Sequence, residues 1–181
     1  MIRAALPLIA LSACTIGGGE REWHFEDVKG VWIEVGSGDV NLCAVDDRET
    51  VDVRWDGGGI GKPADPDIAL EADGWLVFDA GGLLGGGELE VMVPQGMPFE
   101  IYVERGDIDV GLRTGTDLIA CVAAGSVDIH VPEGSYDIEL QGAVGSWETS
   151  GVTHDPDSPH AIRACAATGE INIFSGEGDP D

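Results

Sequence analysis

The sequence predicts an all-β domain: a β-solenoid-like stack of short strands in repeats of roughly 20 residues, with a β-sandwich as the alternative. Three observations point there. Five segments share one shape, in which alternating apolar residues lead to a glycine and the alternation then resumes. They are centred on Gly38 (WIEVGSGDVNL), Gly106 (FEIYVERGDIDV), Gly125 (LIACVAAGSVDIHV), Gly145 (IELQGAVGSWET) and Gly169 (IRACAATGEINIF). From Gly106 onward the spacings are 19, 20 and 24 residues, a period that marks stacked architectures. No stretch repeats its apolar residues at helical spacing.

The chain opens with one basic residue, Arg3, an apolar run from Ala4 to Leu11, and small residues, which is the layout of a secretory signal. The run is far shorter than the roughly 18 to 20 apolar residues that a spanning helix needs. Its end, Leu11-Ser12-Ala13-Cys14, resembles the lipobox of bacterial lipoproteins. That resemblance implies a signal over 1–13 and a lipidated Cys14 as the mature N-terminus. Several acyl chains would anchor firmly, at about 0.8 kcal/mol per buried CH₂. Residues 14–22, with Gly17-Gly18-Gly19, suit a flexible tether. Thr15 is not the Asp that retains such proteins in the inner membrane of some bacteria, which favours the outer membrane. The repeat domain is expected over 23–176, followed by an acidic tail at 177–181.

The formal charge is −25, from 34 acidic and 9 basic residues. Such a surface repels nucleic acid and anionic lipid head groups. With 43% hydrophobic residues and five Trp, the chain carries enough apolar matter to fold.

Within the repeats, the columns can be aligned on the glycine. Seven, five and three residues before it stand Val31, Ile33, Val35; Phe99, Ile101, Val103; Leu118, Ala120, Val122; Ile138, Leu140, Gly142; and Ile162, Ala164, Ala166. Two and four residues after it stand Val40, Leu42; Ile108, Val110; Val127, Ile129; Trp147, Thr149; and Ile171, Ile173. Of these 25 positions only Gly142 and Thr149 are not apolar. Period-two alternation sets a column on one face, and the change of register across the glycine suits a bulge or tight bend. Trp147 and the small Gly142 fall in the same repeat, so a large residue compensates a vacancy and conserves volume. Second turns follow at Gly115 and Gly134. Further strands are expected at 51–55, 75–78 and 88–93, separated by Gly-rich loops.

Val35-x-x-Gly38-Asp39-Val40, the apolar run Glu90-Val91-Met92-Val93-Pro94, and the turns Gly106-Asp107-Ile108, Gly125-Ser126-Val127 and Gly169-Glu170-Ile171 together resemble the bacterial candidate-adhesin repeat family of unknown function, sometimes called toastrack. The resemblance covers roughly residues 28 to 175. It implies a β-solenoid-like, envelope-associated domain and brings no catalytic residues.

Cys43, Cys121 and Cys165 remain beside Cys14, an odd number that precludes a complete disulfide framework. Cys121 and Cys165 both stand four residues before their glycine, two repeats apart. If coils stack in chain order, two strand spacings of about 4.8 Å hold them near 10 Å, beyond the roughly 7 Å that a disulfide tolerates. The sandwich alternative could bring them together and join them.

The histidines, His24, His130, His154 and His160, stand in no metalloprotease or nucleophile motif, and Ser126 near His130 is an ordinary surface serine, so no enzyme is expected. The last repeat is longer by a loop holding His154, Asp155, Asp157 and His160, which could ligate a divalent metal. The outward column after each glycine (Asp39, Asn41, Asp107, Asp109, Asp128, Glu148, Glu170, Asn172) stacks like charges that solvent or a cation such as Ca²⁺ would have to screen. No other cofactor is expected. The expected function is a non-catalytic structural or adhesion module, lipid-anchored at the cell envelope with an envelope protein or glycan as partner. The alternative is divalent-cation or glycan binding through the acidic face.

Overall fold

The structure, a computed structural model, describes residues 20–57, 66–80 and 86–176. These form thirteen strands: β1 (Glu20–Phe25), β2 (Gly30–Val35), β3 (Asp39–Val45), β4 (Val51–Asp56), β5 (Asp67–Leu70), β6 (Trp75–Ala80), β7 (Glu88–Pro94), β8 (Phe99–Arg105), β9 (Ile108–Gly111), β10 (Leu118–Val131), β11 (Gly134–Ser150), β12 (Val152–His154) and β13 (Ala161–Ser175). Cys14 and the tail at 177–181 lie outside the described residues. The domain starts three residues before the expected boundary: Glu20, Arg21 and Glu22, read as tether, already pair with Asp56, Trp55 and Arg54 in β1–β4.

Each repeat is one coil bent at its glycine. In the first two the bend splits the coil into β2 and β3, and into β8 and β9; in the last three β10, β11 and β13 run through it. Coils lie parallel on one another with the columns in register: Val31 beside Phe99, Phe99 beside Leu118, Leu118 beside Ile162, and Ile162 beside Ile138. This coil-on-coil pairing is the solenoid-like arrangement and not a sandwich. β6 and β7 continue it in parallel beyond the first repeat. There the stack is closed by antiparallel strands, β5 on β6, β4 on β7 and β1 on β4.

The inward columns form the core. Val31, Ile33, Val40, Leu42, Ile101, Ile108, Val127, Ile129, Ile162 and Ile171 are all buried, packed with Trp55, Phe78 and Phe99. Burying each such aliphatic side chain contributes about 1.5–3 kcal/mol. Two expectations about burial need correcting. Leu140 is only half-buried and Asp128 is half-buried and not fully in solvent, because of where their coils sit.

The coils do not follow chain order. The spatial sequence of bends is Gly38, Gly106, Gly125, Gly169, Gly145: β13 lies between β10 and β11, pairing with both along its length. The longer last repeat makes this possible. After β11 the chain forms β12 against residues 134–136, and the turn through His160 returns it to the gap. The fourth repeat, β11, is thereby left at the stack's end, with β13 as its one neighbouring coil among the described residues. Its Trp147 ring does lie over Gly142, 3.7 Å from where a Cβ would stand, so the compensation is real. It happens at an exposed end and not inside the core: Trp147 is 59% exposed.

The bend dictates glycine. Gly38, Gly106, Gly125, Gly145 and Gly169 have φ between 138° and 148°, in the region that favours glycine. At each, the position of a Cβ is already occupied by the carbonyl oxygen of the neighbouring coil's glycine. That contact, from backbone to backbone, explains why one residue type recurs at this column alone.

Candidate functional site

The outward faces of β2, β8, β10, β13 and β11 carry one column four residues before each glycine: Glu34, Tyr102, Cys121, Cys165 and Gln141, in that spatial order. Because β13 sits beside β10, Cys121 and Cys165 are direct cross-strand partners with Cα atoms 4.5 Å apart, and they are disulfide-bonded. The expectation that they stand two spacings apart is thus corrected. Their column assignment was right, and the chain-order assumption was wrong.

Small side chains beside this column, Ala123, Ala143 and Ala167, leave a groove of about 700 Å³ over the disulfide. That is within the roughly 300–1,000 Å³ of small-molecule sites. Trp32 and Tyr102 stand at one end, with ring centroids 6.2 Å apart and tilted by 45°. Glu34 and Glu104 flank them, and Gln141 lies at the far end. Tyr102 Oη donates to Glu100 Oε2 at 3.1 Å, which orients the ring. Burial, with Glu100's charge beside it, pushes the Tyr102 phenol above its ordinary value, so the ring stays a neutral donor. No Lys, Arg or His lines the groove among the described residues. Trp32 and Tyr102 carry no motif of their own in the sequence. The available signal is the column four residues before the glycine, which Tyr102 shares with Cys121 and Cys165; Trp32 stands two residues ahead of that column.

The expected metal loop is built differently. His154 Nδ1 accepts a hydrogen bond from the Ile138 amide at 3.1 Å, and Asp155 Oδ1 caps the turn by accepting from the Asp157 amide at 3.0 Å. The His160 ring packs against Gly115. The loop's polar groups stitch the detour that inserts β13, and three such ligands do not converge on one point among the described residues.

The acidic column is a hydrogen-bonded ladder. Asp39 Oδ1 accepts from the Asp107 amide at 3.0 Å, and Asp107 Oδ1 accepts from both the amide and the hydroxyl of Ser126 at 2.7 Å. Across the strands the order is Glu90, Asn41, Asp109, Asp128, Asn172, Glu148, so an amide side chain separates most carboxylates. Asn172 Nδ2 donates to Asp128 Oδ1 at 2.7 Å. In this row Asp109 and Asp128 adjoin directly. Burial raises Asp109 from its ordinary value; the neighbouring His130 opposes the rise and the charge on Asp128 adds to it.

No family model matches the chain, and no curated protein matches it. Among solved structures it is similar to a candidate cell adhesion protein from Clostridium sporogenes, with a TM-score of 0.58 and 14% identity over 87% of this chain and 99% of that one. A candidate adhesin from Bacteroides fragilis matches at a TM-score of 0.40 and 11% identity, over 87% of this chain and 97% of that one. The likeness at 14% identity is one of fold, and the fold of this chain is that of the Clostridium sporogenes candidate cell adhesion protein.

Proposed function

We propose that the protein is a non-catalytic adhesion module of the bacterial cell envelope, held by a lipidated Cys14, that contacts an uncharged glycan chain through the groove at Trp32 and Tyr102. The groove carries this reading. It presents two aromatic faces to the C–H faces of sugars, with Glu34, Glu104 and Gln141 placed for hydroxyls. A net charge of −25 disfavours acidic polymers. The scaffold under the groove is rigid, being tied across coils by Cys121–Cys165. A structural disulfide persists in oxidising compartments, which supports a place outside the cytoplasm. The fold likeness to a candidate cell adhesion protein supports the same reading, and Thr15 after the lipobox favours the outer membrane.

Two experiments test it. Cys14→Ala is expected to move the protein from the membrane pellet to the soluble fraction on cell fractionation, and a variant that stays in the pellet would remove the anchor. On an array of neutral, acidic and basic oligosaccharides, the protein is expected to bind neutral chains. Trp32→Ala or Tyr102→Ala should then weaken binding about tenfold or more, as buried aromatic contacts do, without moving the melting temperature by more than a few degrees. Binding that survives both substitutions would place the ligand elsewhere.

A further inference from the structure

The groove over the disulfide crosses the stack instead of following a strand. All five coils line it, β2 with Trp32 and Glu34, β8 with Tyr102 and Glu104, and β10, β13 and β11 from the same two rows, four and two residues before the glycine. Neighbouring strands lie about 4.8 Å apart, so the four steps from β2 to β11 span roughly 19 Å. The groove is walled at its ends and flat in its middle. Trp32 and Tyr102 stand at one end and Gln141 at the other. Between them lie Cys121 and Cys165, whose bond draws each side chain sideways onto its neighbour instead of upright from the sheet. Ala123 and Ala167 beside them add only methyl groups. Both cysteines are half-buried and both alanines exposed, so this uncharged floor, two coils wide, is open to a ligand.

We propose that the neutral glycan is a flat, extended chain lying across the coils, one sugar ring to each of β8, β10, β13 and β11. The inference rests on the groove reading above and adds the ligand's length, shape and direction. Three observations carry it. The rings of an extended, equatorially linked sugar chain recur at close to the spacing of strands in a sheet, so successive rings meet successive coils. The apolar floor takes the C–H faces of the middle rings, while their hydroxyls point along the strands to water, and Glu104 and Gln141 meet those of the end rings. Finally, β8, β10 and β13 are each hydrogen-bonded to a strand on both sides. A peptide crossing them would find no backbone partner, because strand addition needs an open edge. A chain that coils, as α-linked glucose does, would leave the flat floor after one or two rings.

Titration calorimetry of the full chain with β-1,4-linked oligomers of glucose, mannose and N-acetylglucosamine, one to six units long, tests this. In whichever series binds, affinity is expected to rise about tenfold or more from two units to four and to level off beyond. Ala167→Trp fills the floor and Gln141→Ala removes the last contact, so each should abolish most of that gain. Trp32→Ala should weaken binding at every length. A four-unit chain should also slow reduction of Cys121–Cys165 by dithiothreitol, because it covers the bond, and a two-unit chain should slow it less. Equal affinity for two and four units overturns the arrangement, as does tighter binding of α-1,4-linked glucose oligomers or a disulfide left unprotected at saturation. Each of these outcomes leaves the groove as the contact for a shorter or differently shaped glycan. If no neutral chain binds, the groove reading itself fails and the arrangement falls with it.

Discussion

Gly125→Ala is expected to destabilise the protein by about 4 kcal/mol or more, at the severe end of single substitutions. Two costs combine. Gly125 has φ +146°, where an L side chain is strained, and such backbone strain costs of order 1–3 kcal/mol. The new methyl would also coincide with the Gly106 carbonyl oxygen. That atom is backbone in the adjoining coil, so relief requires separating β10 from β8 and β9 and breaking the pairing on both sides of the bend. For a domain of this size each kcal/mol lowers the melting temperature by roughly 2–4 °C, so a fall of about 10 °C or more should appear by circular dichroism. Gly86→Ala is the control: its Cβ would meet nothing within 4 Å, and the effect should stay within about 0.5 kcal/mol. Equal stability of the two variants would mean that coils are not in contact at the glycine column.

Removing the disulfide should have a comparable effect. Cys121 and Cys165 are separated by 44 residues, and closing a loop of that length lowers the entropy of the unfolded chain by an amount worth about 4 kcal/mol. Cys121→Ser, Cys165→Ser and reduction of the parent protein are each expected to lower the unfolding free energy by roughly that amount in denaturant titrations. The loop encloses all of β11, so the crosslink also holds β10 and β13 together against the competing pairing of β10 with β11, its neighbour in the chain. Peptide mapping without reductant should recover the Cys121–Cys165 pair. Finding both thiols free in the mature protein would contradict the insertion of β13.

Most of the fold was legible in one dimension because the interactions that build a coil are local. Alternation chooses the face, and a bend that only glycine can make interrupts it at a fixed distance. Hence Val31, Phe99, Leu118, Ile162 and Ile138 were aligned by counting from the glycine, and they stand in that column in space. Strands at 51–55, 75–78 and 88–93 were also found from their alternation. The groove was partly legible: the column holding Tyr102, Cys121, Cys165 and Gln141 follows from the same count, whereas the contact of Trp32 with Tyr102 is a diagonal one between strands 70 residues apart in the chain.

What the residues by themselves determined, then, was the coil: its length, its inward and outward faces, its glycine, and the parallel register in which one coil can lie on another. The order of the coils was decided only in three dimensions. Coils with interchangeable inward columns can stack in more than one order at nearly equal cost per contact, so local pattern does not choose among them. The choice falls to differences summed over the whole stack. The repeat with Gly142 and Trp147 packs worst between two neighbours and so belongs at the end, and the loop from Thr153 to His160 is long enough to carry the chain past it. Once β13 takes the inner place, Cys121 meets Cys165, the groove forms over their bond, and the outer edge of β11 is left without a strand partner from Asp137 onward among the described residues.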